Sequence, residues 1–164
     1  MFVRYEINSA KDGTSYHFVT DSGNIYTAYF TEFILLNDEG IDIPVLSFGI
    51  ACHLANEDKP QVRDLKIRNT VIHIIDKVFS LQPENAVLYI CLDSDGRGKT
   101  RHATFERWFD HVENPIERYD APEACEKNGY YSSMLIRPEN PEKSKYISAF
   151  YFTISYYRLD EVGD

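Results

Sequence analysis

The hydrophobic and polar positions in the first third of the chain alternate, as in β-strands that bury one face. This alternation predicts strands at residues 2–7, 15–20 and 25–33, and turn residues at 21–24 predict a hairpin between the last two. Residues 45–54 are apolar on both faces, which predicts a central strand. Gly49 interrupts this strand, and such a glycine is typical of a bulge or of a close approach by a ligand or backbone.

The rest of the chain predicts alternating element types. Residues 64–79 place apolar side chains three and four apart, which predicts a helix, and the continuous apolar run at 86–92 predicts a buried strand. A second helix is predicted at about 97–112, followed by strands at 116–119, 130–136 and 147–158. The order β-β-β-β-α-β-α-β-β-β predicts an α+β fold with a mixed central sheet, in a single domain over residues 1–164.

Composition and charge narrow the classes of partner. The 164 residues carry a net charge of −9, which argues against a nucleic-acid-binding surface. Cys52, Cys91 and Cys125 are isolated, which favours a reducing compartment. The N-terminus is charged and does not resemble a signal peptide, and the longest mainly apolar run, 45–55, is half a membrane span. We therefore expect a cytoplasmic protein with neither nucleic-acid nor membrane partners.

The candidate chemistry lies at the start of the second predicted helix. On a helical wheel, two arginines fall within the apolar stripe that also holds Phe105 and Phe109. A cation near a helix N-terminus opposes the macrodipole, and a buried guanidinium needs partners, so something anionic should compensate them. Residues 97–107 carry four cations and one anion. The candidate ligand-binding residues are Asp93, Asp95, Gly96, Arg97, Gly98 and Arg101.

Three interpretations of this segment are open. Asp93 and Asp95 can cap the helix and pair with the arginines, which is a purely structural role. Alternatively, the amides of 96–98 and the two arginines hold a phosphate or carboxylate of a ligand, or they meet an acidic group of a partner protein.

Metal and catalytic sites are not predicted. Asp93, Asp95 and Gly98 match three positions of a calcium loop, but Arg97 stands at a ligand position and Thr104 stands where the closing Glu belongs. The five histidines are scattered, and a lone histidine in an apolar element is typically a packed, hydrogen-bonded residue. No cofactor is predicted either, and the sequence favours a protein that is not an enzyme.

Two resemblances follow from these residues. The stretch Ile-Cys-Leu-Asp-Ser-Asp-Gly-Arg at 90–97, with Arg101, Phe105 and Trp108-Phe109 after it and the helix at 68–75 before it, resembles an uncharacterised family of small bacterial proteins found mainly in Bacteroidetes. That resemblance implies no activity. The order of elements is similar to GNAT-type N-acetyltransferases, in which the central strand splays from the next parallel strand to admit acetyl-CoA.

The GNAT resemblance implies a fold more than a reaction. The pyrophosphate loop of that family, Q/R-x-x-G-x-G/A, would fall at 61–68, where this chain has no glycine, and its catalytic tyrosine would align with Phe105. The chain is thus interpreted as a degenerate, non-catalytic module that binds an anionic ligand between 49–53 and 88–93, near Arg97 and Arg101. An active acyl-CoA-dependent acyltransferase with an atypical loop is one alternative. The other is a protein-interaction module that forms a homodimer through the tyrosine-rich terminal strand, 147–158.

Overall fold

Over the residues that the structure describes, a seven-stranded mixed sheet packs with three long helices, and this confirms the predicted α+β class. The computed structural model describes residues 3–59, 63–92, 96–112, 114–122, 125 and 130–162. The strands are β1 (Asn8–Ser9), β2 (Ser15–Val19), β3 (Ile25–Leu36), β4 (Asp42–His53), β5 (Val87–Leu92), β6 (Glu117–Asp120) and β7 (Tyr130–Ile136). The helices are α1 (Leu65–Leu81), α2 (Gly98–Phe109) and α3 (Lys143–Val162).

The strands lie in the order β1-β2-β3-β4-β5-β7-β6. The predicted hairpin between β2 and β3 is confirmed, with Gly23 in its turn at a φ of 81°. All neighbouring strands are antiparallel except β4 and β5, which α1 connects as a parallel pair. The parallel pairing covers only Leu46 to Phe48 against Val87 to Tyr89.

Each face of the sheet has its own apolar core, because successive side chains in a strand point to opposite faces. On β5 and β7, Tyr89 and Leu135 pack in the core that contains α1 and α2. Their neighbours Leu88 and Met134 pack in the core that contains α3. The sheet is therefore covered by α1 and α2 on one face and by α3 on the other.

The last predicted strand, 147–158, is wrong, because this segment belongs to helix α3. Its alternating aromatic and β-branched residues favour a strand locally. Its buried residues instead follow helical spacing, namely Tyr146, Ala149, Phe150, Thr153 and Ile154. The Thr153 hydroxyl also accepts from the Leu36 N–H at 2.8 Å and donates to the Leu36 carbonyl at 3.2 Å, so it fixes α3 to the end of β3. Neither α3 nor any other helix in the described ranges has the length and apolar character needed to cross a membrane.

The strand through which the homodimer was expected to form, 147–158, is not present, because these residues are helical. Tyr151 is half-buried on α3 and donates from its hydroxyl to the Asp120 carbonyl at 3.1 Å. Part of the tyrosine-rich segment therefore packs within the chain. The homodimer itself stays a prediction.

The first predicted strand, 2–7, is also wrong over the described residues 3–7, and β1 is confined to Asn8–Ser9. The segment bonds to helix α1 instead of to a strand. The Tyr5 N–H donates to Thr70 Oγ1 at 2.9 Å, and the Asn69 side chain donates to the Val3 carbonyl at 2.9 Å. Tyr5 itself is buried in the core.

Gly49 marks a close approach by a side chain and not a bulge. The β3–β4 pairing runs without interruption from Ile25↔His53 to Leu36↔Asp42. Tyr29 lies directly opposite Gly49, and a Cβ at position 49 would overlap the end of the Tyr29 ring. The glycine therefore lets this ring lie flat across β4.

Candidate functional site

A cleft of about 740 Å³ opens between the N-terminal half of α1 and helix α2. Its floor is formed by Tyr26 of β3 and by Ile50 to Cys52 of β4. The cleft starts where the parallel pairing ends. β4 and β5 are paired only as far as Phe48 and Tyr89, although β4 continues to His53 and β5 to Leu92.

The two helical walls of the cleft are basic. Helix α1 and the residue preceding its cap contribute Arg68 and Arg63, and α2 contributes Arg101 and Arg107. Among the described residues, Asp64 is the carboxylate that lines the same surface. Because the whole chain carries a charge of −9, four guanidinium groups around one cleft are a strong local reversal of charge.

Apolar rings and hydroxyl groups complete the lining. Phe105 and Trp108 of α2 face the cleft together with Thr100 and Thr104. The spacing of these positions places them on one stripe of α2. The cleft therefore combines cationic walls with aromatic surface, which suits an anionic organic ligand better than a bare inorganic ion.

The Asp64 carboxylate already occupies the start of α1. As the helix cap, it accepts from the Lys66 N–H at 2.8 Å, and it accepts a very short hydrogen bond from the Tyr5 hydroxyl. Burial raises the pKa of Tyr5 to about 12, and the Asp64 carboxylate adds to the increase. Because this carboxylate caps the first turn at the Lys66 amide, an anion in the cleft would be held by guanidinium groups and not by this helix start.

Of the predicted ligand-binding residues that the structure describes, Arg101 reaches the cleft. Arg101 lines it and is half-buried, as predicted for a cation in the apolar stripe. Arg97 was predicted in the same stripe, but α2 begins one residue later, so Arg97 is the exposed cap residue and does not line the cleft. Gly96 takes a φ of 74°, and Gly98 is buried as the first helical residue. Asp93 and Asp95 lie outside the described residues.

Phe105 occupies the position that the GNAT resemblance assigns to a catalytic tyrosine. Its ring packs against Phe48, Tyr89 and Trp108, at centroid distances of 5.9, 5.4 and 5.4 Å. Cys91, near the end of β5, is only 4% exposed, and burial raises the pKa of its thiol to about 11 against an opposing effect of Arg101. This confirms Cys91 as a buried apolar residue, because a thiol with so high a pKa is a poor nucleophile at neutral pH.

A second polar cluster lies beneath the other side of α2, and the sequence did not predict it. His102 is 8% exposed, and its Nε2 lies 3.1 Å from Ser133 Oγ. Ser133 in turn donates a very short hydrogen bond to Asp120. Arg118 contacts Asp120 at 3.1 Å and Glu106 at 3.3 Å. The spacing of His102 and Glu106, four residues apart on one helix, was the signal available in the sequence, but their partners come from β6 and β7.

Residues 63–151, more than half of the chain, match the family of unknown function DUF6169. The chain belongs to this family. No curated protein and no solved structure matches the chain. The DUF6169 match runs from Arg63 to Tyr151, so it contains both helical walls of the cleft and the whole second polar cluster, whereas β1 to β4 precede it.

Proposed function

We propose that this DUF6169 protein is a non-catalytic module with a degenerate, GNAT-like acyltransferase fold, and that it binds an anionic small molecule in the cleft between α1 and α2. The observation that carries the proposal is the set of four arginines on the two walls. Arg101, from the predicted set, is joined by Arg63, Arg68 and Arg107.

The walls formed by α1 and α2 present like charges to one partly enclosed space. Guanidinium groups on facing walls repel each other, and the low-dielectric walls of a cleft strengthen their field. An anion between them lowers this repulsion and accepts several charge-assisted hydrogen bonds. Phosphate and carboxylate groups match the planar fork of arginine, so the ligand carries at least one of them.

The aromatic rings of the floor and of the α2 wall narrow the class of ligand further. Tyr26, Phe105 and Trp108 offer apolar and π surface next to the cations. A ligand with an organic body and an anionic end uses both surfaces, whereas inorganic phosphate uses only one. We therefore expect organic phosphates to bind more tightly than phosphate itself.

The GNAT-like character is supported by topology, and the degenerate character by two residues. Four strands precede α1, the α1 crossover joins a parallel pair, and this pair parts at Phe48 and Tyr89. Asp64 occupies the helix start with its own carboxylate, where a pyrophosphate would otherwise be held. Phe105 has no hydroxyl with which to protonate a leaving thiolate.

An active acyl-CoA-dependent acyltransferase is the second candidate, and the parting of β4 and β5 favours it. A ligand that enters between these strands meets the floor at Ile50 to Cys52. Release of free coenzyme A from acetyl-CoA, measured against a panel of amines, tests this candidate. Release above the rate without protein supports an enzyme, and no release at micromolar protein contradicts it.

Calorimetric titration and thermal unfolding with coenzyme A, ATP and inorganic phosphate test the proposed function. A ligand at 100 times its dissociation constant stabilises the fold by about 2.7 kcal/mol, or roughly 5–10 °C for a chain of this length. Arg101→Gln and Arg107→Gln should each weaken binding by about tenfold or more. Arg4→Gln, an exposed arginine outside the cleft, is the matched control and should leave affinity unchanged. If no organic phosphate binds at millimolar concentration, or if both cleft variants bind like the control, the proposal is wrong.

A further inference from the structure

A row of polar side chains crosses three adjacent strands on the face of the sheet that α2 covers. Tyr89 of β5 lies directly opposite Ser133 of β7, and Ser133 lies directly opposite Asp120 of β6. The row runs from the buried core to the edge strand, since Tyr89 and Ser133 are at most 1% exposed and the Asp120 side chain is 42% exposed.

Helix α2 places two further potential ligands over this row. His102 and Glu106 are one turn apart on the same helix face. One ligand atom from each of His102, Glu106 and Asp120 can be chosen so that all three lie within 4.8 Å of one another. Donor atoms on one tetrahedral ion at about 2.0–2.2 Å are about 3.4 Å apart, so the two half-exposed carboxylates would have to turn toward the ion to close the set.

The buried end of the row is Tyr89, which is only 1% exposed. Its ring lies 5.8 Å from that of His102. Burial raises the pKa of Tyr89, and a hydrogen bond with Ser133 opposes the increase. The polar cluster therefore continues from the half-exposed carboxylates into the core, with His102 and Ser133 between them.

We propose that His102, Glu106 and Asp120 form a binding site for a divalent transition-metal ion, and that Arg118 occupies the site as a competing cation when the metal is absent. The Arg118 guanidinium contacts both carboxylates, with Nη2 3.3 Å from Glu106 and Nε 3.1 Å from Asp120. One cation thus bridges the two groups that a metal would bridge.

The donor set selects the class of ion. Imidazole with carboxylates suits Zn²⁺, Mn²⁺ or Fe²⁺, whereas Mg²⁺ and Ca²⁺ favour oxygen ligands alone. Ser133 supports the site as metal-site neighbours do, because its hydroxyl donates to Asp120 and contacts the His102 ring. Three protein ligands with two half-exposed carboxylates leave room for a further ligand from solvent.

Calorimetric titration of the full chain with Zn²⁺ tests the proposed competition between Arg118 and the metal. A separate titration with Mg²⁺ should show weaker binding, because Mg²⁺ favours oxygen ligands alone. Glu106→Gln and Asp120→Asn should each weaken Zn²⁺ binding by about tenfold or more, whereas Arg118→Met should strengthen it by about tenfold. Glu32→Gln, on the exposed surface of β3, is the matched control and should leave affinity unchanged. Co²⁺ bound to the wild-type chain should give visible d–d absorption that Glu106→Gln diminishes.

Two outcomes overturn the metal site. If neither the wild-type chain nor Arg118→Met binds Zn²⁺ below millimolar concentration, the cluster is a structural ion-pair network only. If Zn²⁺ binds but the carboxylate variants bind it like Glu32→Gln, the ion lies elsewhere on the chain. Circular dichroism of each variant confirms that it is folded, so that a lost site is distinguished from a lost fold.

Discussion

The ion pair between Arg137 and Asp76 offers a test of how buried charge acts in this fold. The Arg137 side chain is 8% exposed and donates to Asp76 of α1 and, at 3.0 Å, to the Pro115 carbonyl. Its guanidinium lies 5.2 Å from the centre of the Phe79 ring. Asp76 is 32% exposed and also accepts two hydrogen bonds from the Asn114 amide, at 2.9 and 2.8 Å.

Replacing Asp76 and replacing Arg137 should lower the free energy of unfolding by different amounts. Removing one charge from a buried pair costs about 3–5 kcal/mol, because the other charge stays desolvated. Asp76→Asn leaves the guanidinium buried but keeps an acceptor, so we expect a loss of about 2 kcal/mol. Arg137→Met removes the cation together with its desolvation penalty and leaves Asp76 in contact with water and Asn114, so we expect about 1 kcal/mol or less. The more exposed partner is thus the more costly one to neutralise.

Urea denaturation at neutral pH measures both free energies of unfolding, with circular dichroism and the fluorescence of Trp108, the single tryptophan, as probes. Asp21→Asn is the matched control, because Asp21 pairs with Lys66 at 3.3 Å but is 79% exposed. It should change stability by less than about 0.5 kcal/mol. If Arg137→Met destabilises the chain as much as Asp76→Asn or more, it is wrong that the main cost comes from leaving the buried Arg137 guanidinium without its carboxylate.

Three shorter predictions concern helix α3, the thiols and acid stability. Thr153→Val should cost about 1–2 kcal/mol, because it leaves the Leu36 amide and carbonyl without their side-chain partner. A thiol reagent at about pH 8 should modify exposed Cys52 quickly and buried Cys91, with its pKa of about 11, only after unfolding in urea. The pKa of Glu117 is held below its ordinary 4.5 by a tyrosine hydroxyl and a lysine, so its contribution to stability is present above that value and is lost as the pH falls through the lower folded value. Glu117→Gln should therefore lose less stability between about pH 5 and about pH 3 than the wild type, as measured by thermal unfolding.

Each of these predictions has a control or a contradicting result. Ser155→Ala, on the exposed side of α3, should be nearly neutral, and a Thr153→Val cost no larger than that would contradict the anchoring role. Rapid modification of more than one thiol in the folded chain would contradict the burial of Cys91 and Cys125. An unchanged acid slope in Glu117→Gln would show that its partners do not hold its charge.

Helices and strands could be predicted from local patterns where their apolar residues fit only one period, either that of a helix or that of a strand. Helix α1 was predicted because its apolar residues recur at helical spacing, and β5 was predicted because a short apolar run between polar turns fits a strand covered on both faces. Helix α3 was missed because its aromatic and β-branched residues satisfy an alternating pattern as well as a helical one. The contacts that decide between the two, such as Thr153 with Leu36, join residues far apart in the chain.

Single residues of the candidate sites could be predicted from the sequence, but their arrangement could not. Arg101 can be predicted because a cation inside an apolar stripe is conspicuous on a helical wheel, but Arg68 lies on another helix and Arg63 precedes it, and neither carries such a signal. The row of Tyr89, Ser133 and Asp120 depends on strand register, and no local spacing encodes which residues of β5, β7 and β6 lie opposite one another.

The short parallel seam between β4 and β5 has a consequence for how the chain folds and opens. On one side lies a meander in which β3 and β4 pair over twelve residues each, and on the other lies the smaller group of β5, β7 and β6. Within the described part of the chain, they are joined in the sheet by three residue pairs and by the backbone bond from the Leu46 N–H to the Ala86 carbonyl, at 3.0 Å. Hairpins form faster than parallel pairings across a helical crossover, so we expect the meander to assemble first and the seam to close last. In the native protein, the amides along this seam should exchange with solvent before those of the hairpins that flank it.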